Sequence, residues 1–402
     1  MNTSATAPMR ERLPRVLWPM MFGNVVIGTG VMMAAGTLND IVSSLSVSVS
    51  TAGQLISSSA LLVCFGAPLL AAVVAGWDRR KLLVGSLLWY GLWHLLAAWA
   101  PGFYSLLSFR AMAMVAAAIF TPQAASCIGL LVKDSQRGRA MTFVFLGWSV
   151  ASVLGMPLGA WIGGHFGWRW SMALIAALSL LGASWLWRQM PSKVLPPALS
   201  AAAWRQTLSS RTIWVTLSVT MMFAAGQFVL FSYLAPYVKA RFDVTPGEFS
   251  LMLLAYGSMG FVGNALLSRF IDRLGASRCI LISLSFMCLC LLIAPWVTHA
   301  TGMALALCFW GLGGFSSNSA QQARLAAQAP WLASASISLN TSAMYAGQAI
   351  GATVGGWTIV HLGMSALPFG GLVGLLAAIG LSLLATRYAR MHPLRLPDKA
   401  PI

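Results

Sequence analysis

Few side chains in this sequence could do chemistry, and those few sit at the ends of long apolar runs or alone inside them. Trp77-Asp78-Arg79-Arg80-Lys81 puts one carboxylate and three cations into a short turn between two apolar stretches. Asp272-Arg273, followed by Gly275 and Arg278, repeats the arrangement 194 positions later. A carboxylate at a helix end can accept from the N-terminus of a neighbouring helix, while arginines pair and unpair across a seam. That is gate chemistry, with Asp78, Arg79, Arg80, Asp272 and Arg273 as the cytoplasmic gate; a purely topogenic role for the charges is the alternative. Arg110 stands inside another apolar run, nine residues beyond Pro101, roughly 13 Å inward at helical rise. A guanidinium in hydrocarbon costs from a few to roughly ten kcal/mol or more, so it must face a partner or a wet cavity. It reads as a switchable coupling contact, or as a static anchor to backbone carbonyls. Asp40 follows the first apolar run; it can titrate, pair alternately with Arg110, or cap the end of that run.

Catalytic constellations are missing. There is no HExxH, no pair of intramembrane carboxylates and no Ser/His/Asp arrangement at plausible depth, so an enzyme is not expected. Cys64, Cys127, Cys279, Cys288, Cys290 and Cys308 show no CxxC or Cys/His spacing and read as small packing residues. Neither a metal nor a cofactor is implied. Trp89, Tyr90, Trp93 and Trp99 read as lipid-facing or belt residues, and His94 as a lone polar packing residue.

The elements that must position these groups are set by composition. The 402 residues are 58% hydrophobic and 8% charged, with a mean hydropathy of +0.78, whereas ordinary soluble domains carry about 25% charged residues. A spanning helix takes about 20 apolar residues, so twelve would use about 240 and leave only short loops. Continuous apolar runs that do not alternate mean helices and exclude a barrel. The net charge of +17 is distributed unevenly: 21 basic residues fall on one side of the spans and three, Arg169, Lys239 and Arg241, on the other. This positive-inside pattern puts both termini in the cytoplasm. The charge sets orientation in a lipid bilayer and does not recruit nucleic acid. Residues 1–15 lack the apolar core and cleavage site of a secretory signal, so the first span is expected to act as the insertion signal.

Six spans are expected in each half: 16–38, 51–76, 82–99, 104–132, 140–164 and a sixth ending near 187, then 212–237, 247–270, 279–297, 301–323, 334–360 and 365–388. Pro122 is a kink candidate. Residues 189–211, with Pro191, Pro196 and Pro197, form a cytoplasmic linker between an N-terminal half (1–188) and a C-terminal half (212–402) that ends in a basic tail. Within the linker, 201–208 reads as a short interfacial helix with Trp204 at headgroup level. The halves repeat. Gly155, Gly159, Trp161, His165 and Gly167 coincide with Gly351, Gly355, Trp357, His361 and Gly363 at an offset of 196. Parallel duplication of a six-helix unit is known in one large transporter fold.

These features resemble the major facilitator superfamily, whose duplicated Asp-Arg turn follows spans 2 and 8. The first copy departs by lacking the glycine that the second keeps at Gly275. Gly155-Met156-Pro157-Leu158-Gly159 is similar to the Gly-Pro motif of the superfamily's drug/proton antiporter branch, and Arg110 matches that branch's intramembrane arginine. Leu38-Asn39-Asp40-Ile41, Ala52-Gly53-Gln54, Arg137-Gly138-Arg139-Ala140, Phe166-Gly167-Trp168-Arg169, Phe231-Ser232-Tyr233 with Pro236-Tyr237, and Asn340 resemble the arabinose and sugar efflux permease group. The resemblance implies an all-α integral membrane protein of twelve helices in two pseudo-symmetric halves, located in the inner membrane as a monomer. It implies secondary-active efflux of a small sugar-like or drug-like solute by alternating access, coupled to protons, with an importer or facilitator on the same fold as the alternative. Gly155, Pro157, Gly159, Gly351 and Gly355 would form the antiporter-type helix seam. Asn24, Gln123, Gln227, Tyr233, Asn318, Asn340 and Gln348 lie on spans that line the cavity in relatives. Amides donate and accept, which suits a neutral polyol or a zwitterion; each residue could equally be an interhelical hydrogen bond.

Overall fold

The computed structural model describes residues 14–74, 76–133, 136–195, 201–392 and 394; the basic residues Arg10, Arg12, Arg395 and Lys399 of the two ends lie outside these. Every described element is helical, as backbone in hydrocarbon requires, since each N–H and C=O must find its partner within the chain. The first half contains α1 (Leu17–Gly36), α2 (Leu38–Leu45), α3 (Val49–Val73), α4 (Arg79–Ala98) and α5 (Phe103–Leu131). It continues with α6 (Arg137–Val150), a π-helical turn (Ala151–Gly155), α7 (Met156–Phe166) and α8 (Trp168–Gln189). The short α9 (Ala201–Ser209) lies in the linker. The second half contains α10 (Arg211–Phe231), α11 (Leu234–Phe242), α12 (Pro246–Leu274), α13 (Ala276–Ile293), α14 (Ala300–Gln328), α15 (Ala333–Leu362) and α16 (Leu367–Met391).

With α6 and α7 forming one span, twelve segments are long enough to cross, and eleven of them are also strongly apolar. The exception is α15, where Ser336, Asn340, Thr341, Ser342 and Gln348 dilute the apolar content. Two large hydrophobic cores and one small cluster result among the described residues. One core is drawn from the first half, and the other from the second half joined by Ala34, Ala35, Leu38, Ala52, Ile56, Met156 and Ala160 of the first.

The span that opens each half is broken at an equivalent place. Helix α1 ends at Gly36 and α2 resumes after Thr37, whose hydroxyl donates back to the Met33 carbonyl at 3.0 Å. Helix α10 ends at Phe231 and α11 resumes after Tyr233, so Thr37 and Tyr233 are 196 apart, the repeat offset. Both short helices end on a left-handed residue, Ser46 (φ 51°) and Asp243 (φ 48°). Each opening span was expected to run unbroken, and Asp40 to follow the first of them; Asp40 instead lies in the first turn of α2.

Proline explains the wide turn in span 5. Pro157 has no N–H for the Val153 carbonyl, and the ladder shifts to i→i+5, with the Met156 N–H donating to Ala151 O. Helix α5 runs on through Pro122. Tyr90 corrects the reading of the span 3 aromatics: it is fully buried, while Trp89 and Trp99 are exposed. Its hydroxyl donates to Ile27 O at 3.1 Å, and a phenol facing lipid would lose that bond. Trp204 of α9 packs on a small cluster with Ile213, Leu217 and Trp331 at the foot of the second half.

A polar hub pins three helices in each half. Asn24 of α1 donates to Val144 O of α6 at 3.0 Å and accepts from the Thr121 hydroxyl of α5 at 2.7 Å. Asn340 of α15 donates to Asn318 of α14 at 3.0 Å and accepts from Thr220 of α10 at 2.6 Å. At the repeat offset Asn24 overlies Thr220, and Val144 overlies Asn340, so the amide has changed helix while the clamp has stayed. Replacing Asn24 or Asn340 by Ala is expected to lower unfolding stability in detergent by about 1 kcal/mol each. An unchanged melting temperature for both variants would show that the hubs bear no load.

Candidate functional site

In the first half the site is built on α5 and α1. Arg110 is 1% exposed, and its guanidinium reaches across to α1, where Nη2 donates to Gly30 O at 3.3 Å. Nη1 lies 3.9 Å from the Met172 sulfur of α8, and Nε has no hydrogen-bond partner among the described residues. Gly30 lets Tyr90 pack close against α1 beside this contact, since a β-carbon there would strike the Tyr90 hydroxyl. His94 stacks beside Tyr90 with ring centroids 4.2 Å apart. Its Nδ1–H donates to Tyr90 O at 2.9 Å, leaving Nε2 as an unused acceptor. His94 is therefore part of the Arg110 environment, not an isolated packing residue. No carboxylate among the described residues forms a salt bridge with Arg110. A buried cation held by one long carbonyl contact and a thioether is weakly secured, and it leaves a positive field in the bundle.

Asp40 is not beside Arg110. It lies at the junction of the halves, next to Gly163 of α7. Burial lifts its carboxyl above the ordinary value, and Lys239 of α11 in the opposite half pulls the other way. Lys239 also pairs with Asp243 at 3.5 Å.

The two Asp-Arg turns adopt unequal structures. Asp78 caps α4 by accepting from the Lys81 N–H at 3.1 Å, and it also accepts from the Lys193 N–H of the linker. Arg79 donates to Val74 O (2.9 Å) and Trp77 O (2.7 Å). Arg80 donates to Trp187 O (2.6 Å) with its guanidinium 4.2 Å above the Trp187 ring. The first turn thus latches the end of α8 and the start of the linker within its own half. In the second copy α12 continues through Asp272 and Arg273 and stops at Gly275, whose φ of 80° is one that a side chain resists. Asp272 and Arg273 are exposed there.

The halves meet along two seams. In one, α12 crosses the π-helical turn so closely that Gly257 lies against the Ser152 backbone, while Ser250 donates to Pro157 O at 2.8 Å. Gly155 and Gly159 face α1 instead, at Thr29 and Met33; Gly351 and Gly355 face α10 at the equivalent Ala225 and Val229. In the other seam α3 packs on α15, with Tyr233 donating to Ala352 O at 2.7 Å beside Gly53 and Gly356.

Of the seven cavity candidates, Asn24, Asn318 and Asn340 are committed to the hubs, and Tyr233 to the α3–α15 seam. Gln348 is buried on α15, and the Gln123 side chain meets Ser126 on its own helix at 3.5 Å. Gln227 differs. Its Nε2 reaches the Tyr256 hydroxyl at 3.5 Å, while Oε1 is buried without a partner. Tyr256 is surrounded by Phe231 (5.3 Å), Phe315 (5.8 Å) and Trp310 (6.5 Å between centroids), and the buried Trp310 Nε1–H is also unpartnered. Gly314 lies among these groups. An amide, a phenol and an indole therefore converge in an uncharged aromatic setting with a donor and an acceptor unused. Tyr256 and Trp310 were not singled out from the sequence, because a lone aromatic in an apolar helix looks the same whether it packs or binds.

The sequence profile of the Major Facilitator Superfamily matches residues 20–352 and again 219–400. The chain is 27% identical over 377 residues to a protein of Mannheimia succiniciproducens named as a probable sugar efflux transporter, covering 92% of this chain and 94% of that protein. It is 31% identical over 267 residues to a chloramphenicol resistance protein of Streptomyces lividans, covering 65% and 68%. Among solved structures, an inward-facing, unoccupied bacterial homologue of the human lysosomal transporter Spinster superposes with a TM-score of 0.76, at 17% identity and with coverage of 94% and 98%. A profile match spanning both six-helix halves shows that this multi-pass membrane transporter belongs to the major facilitator superfamily.

Proposed function

We propose that the protein exports a small, uncharged, hydrogen-bonding solute by alternating access between residues 1–188 and 212–402, with proton movement as the driving force. The observation that carries the solute class is the Gln227–Tyr256–Trp310 cluster. It offers unused hydrogen-bonding atoms among aromatic rings and no charge, a combination that suits a hydroxylated or planar neutral molecule. The names of two relatives, one for sugar efflux and one for chloramphenicol resistance, favour export and a sugar- or drug-like cargo. The unequal distribution of basic charge supports an inner-membrane orientation with both termini in the cytoplasm. The protein acts as a monomer in this reading.

Asp40 supplies a route for proton linkage. Its carboxyl is raised by burial where α2 meets the opposite half, and exposure to water on opening would return it toward 3.8. The closed arrangement of that junction therefore binds the proton more tightly, and lowering pH toward the ordinary carboxylate range favours closure. Arg110 contributes a fixed positive field, and a change in its weak contact with Gly30 O would alter the proton affinity of groups it faces.

Four outcomes are expected. In proteoliposomes with an imposed pH gradient, counterflow of neutral sugars and drugs should be gradient-driven, and Gln227→Leu should lower apparent solute affinity about ten-fold. Arg110→Ala should abolish uphill export, whereas Arg110→Lys should retain part of it. Equal flux without a gradient would indicate a facilitator, and parental export by Arg110→Ala would remove that residue from the mechanism. For Asp40→Asn, the pH profile of export above the ordinary carboxylate range should flatten while passive exchange persists; an unchanged profile would place the proton elsewhere. A reporter within 192–205 should read as cytoplasmic and one within 239–246 as extracytoplasmic, and a reversal of either would end the proposed orientation.

A further inference from the structure

A second polar site lies apart from Arg110 and Gln227, in the seam between α3 and α15. A cavity of about 120 Å³ is lined there by Ser50, Gln54 and Ser57 of α3, by Thr353 of α15 and by Tyr233. The glycines Gly53 and Gly356 open it. At roughly 30 Å³ per water, it holds about four waters or one glycerol-sized group. It is well below the roughly 300 Å³ at which whole drug-sized molecules fit.

The hydrogen-bonding inventory is specific. Tyr233 and Thr353 spend their hydrogens on Ala352 O (2.7 Å) and Ala349 O (2.9 Å), so toward the cavity both hydroxyls are acceptors. Gln54 has two donors and an acceptor on an exposed side chain. No Lys, Arg, Asp or Glu lines the space. A phosphate or carboxylate there would lack a counter-charge, while a hydroxyl, which donates and accepts, matches both kinds of partner.

The direction of the mouth follows from its flanks. On α3, Gln54 shares a helical face with Leu61 and Phe65, seven and eleven residues on, which are 47% and 65% exposed. On α15, Ile350, Val354 and Trp357 flank Thr353 and are 46%, 43% and 54% exposed. Exposed stripes of this kind in a spanning helix face acyl chains. The cavity therefore opens sideways toward lipid, with Gln54 about 7.5 Å below the first residue of α3.

We propose that this cavity binds the uncharged, hydroxyl-bearing head of a neutral amphiphile, whose chain runs inward from the head along Leu61 and Phe65 of α3 and past Ile350 of α15. A resident glycerol-based lipid and an amphiphilic cargo entering from the bilayer share this chemistry. The site does not depend on the direction or coupling of transport.

The test uses the full-length protein in phosphatidylcholine nanodiscs with a 1-monoacylglycerol carrying a diazirine in its acyl chain. Photolabelled peptides should map to residues 58–65 and 343–350. Gln54→Leu with Ser57→Ala should reduce that labelling about five-fold, and Thr353→Val, which keeps shape and removes an acceptor, should reduce it as well. A diazirine-phosphatidylcholine should label the same segments weakly, with no response to the substitutions. Even labelling around the lipid-facing perimeter, labelling indifferent to all three substitutions, or equal capture of the charged-head analogue would each overturn the assignment. In proteoliposomes, transfer of the monoacylglycerol between leaflets that slows in Gln54→Leu would identify cargo, and retention without transfer would identify a bound lipid; both outcomes uphold the site.

Discussion

Inside a bilayer a backbone N–H or C=O has no water to turn to, and every departure from regular helix in this protein is compensated locally. Where Pro157 removes a donor from span 5, the ladder widens and Met156 reaches back five residues to Ala151. Where α1 stops, the Thr37 hydroxyl covers the Met33 carbonyl. The same constraint governs side chains. Tyr90, Asn24 and Asn340 each end on a carbonyl, hydroxyl or amide of another helix, so polar groups at depth mostly join helices together.

Against that background two of the places where buried polar atoms lack a partner carry the functional argument, although Thr29, Trp168, Asn264 and Gln321 also keep such atoms. Arg110 has a guanidinium with a single carbonyl at 3.3 Å and an unused Nε. Gln227 and Trp310 keep an unused acceptor and an unused donor around Tyr256. A transporter needs groups of this kind, since a residue fully satisfied in one conformation gains nothing by changing partners in the next. The two exceptions lie in different halves. At the position equivalent to Arg110 the second half has Ala306, so duplication has kept the scaffold while electrostatics went to one copy and aromatic hydrogen bonding to the other.

The seams between the halves divide the same way. The α12 crossing of the π-helical turn is backbone against backbone, with one Ser250 hydroxyl joining it; it is a close crossing of small residues. The α3–α15 seam keeps a polar cavity beside Tyr233, and Asp40 stands where α2 meets the opposite half. In the proposed mechanism a proton on Asp40 would act where the halves touch, away from the Gln227–Tyr256–Trp310 cluster. The Asp78 turn acts differently. It ties the linker to α8 inside one half, and its equivalent at Asp272 is free to make other contacts in another conformation.

The sequence by itself determined the helical class, the spans to within a few residues, the duplication near offset 196 and the proline that breaks the regular ladder of span 5. These rest on hydropathy, charge and proline chemistry, all local properties that lipid enforces without reference to neighbours. It also picked Arg110, because a charge in an apolar run is conspicuous wherever it points. Only the tertiary structure decided which polar residues were already satisfied. Asn24 and Gln227 look alike in the chain, yet packing gives one two partners on neighbouring helices and leaves the other half-paired. It also placed Asp40 opposite Lys239, 199 residues away, and set Tyr256 and Trp310 around Gln227. Those pairings depend on helix rotation and crossing, which periodicity in a uniformly apolar helix does not specify.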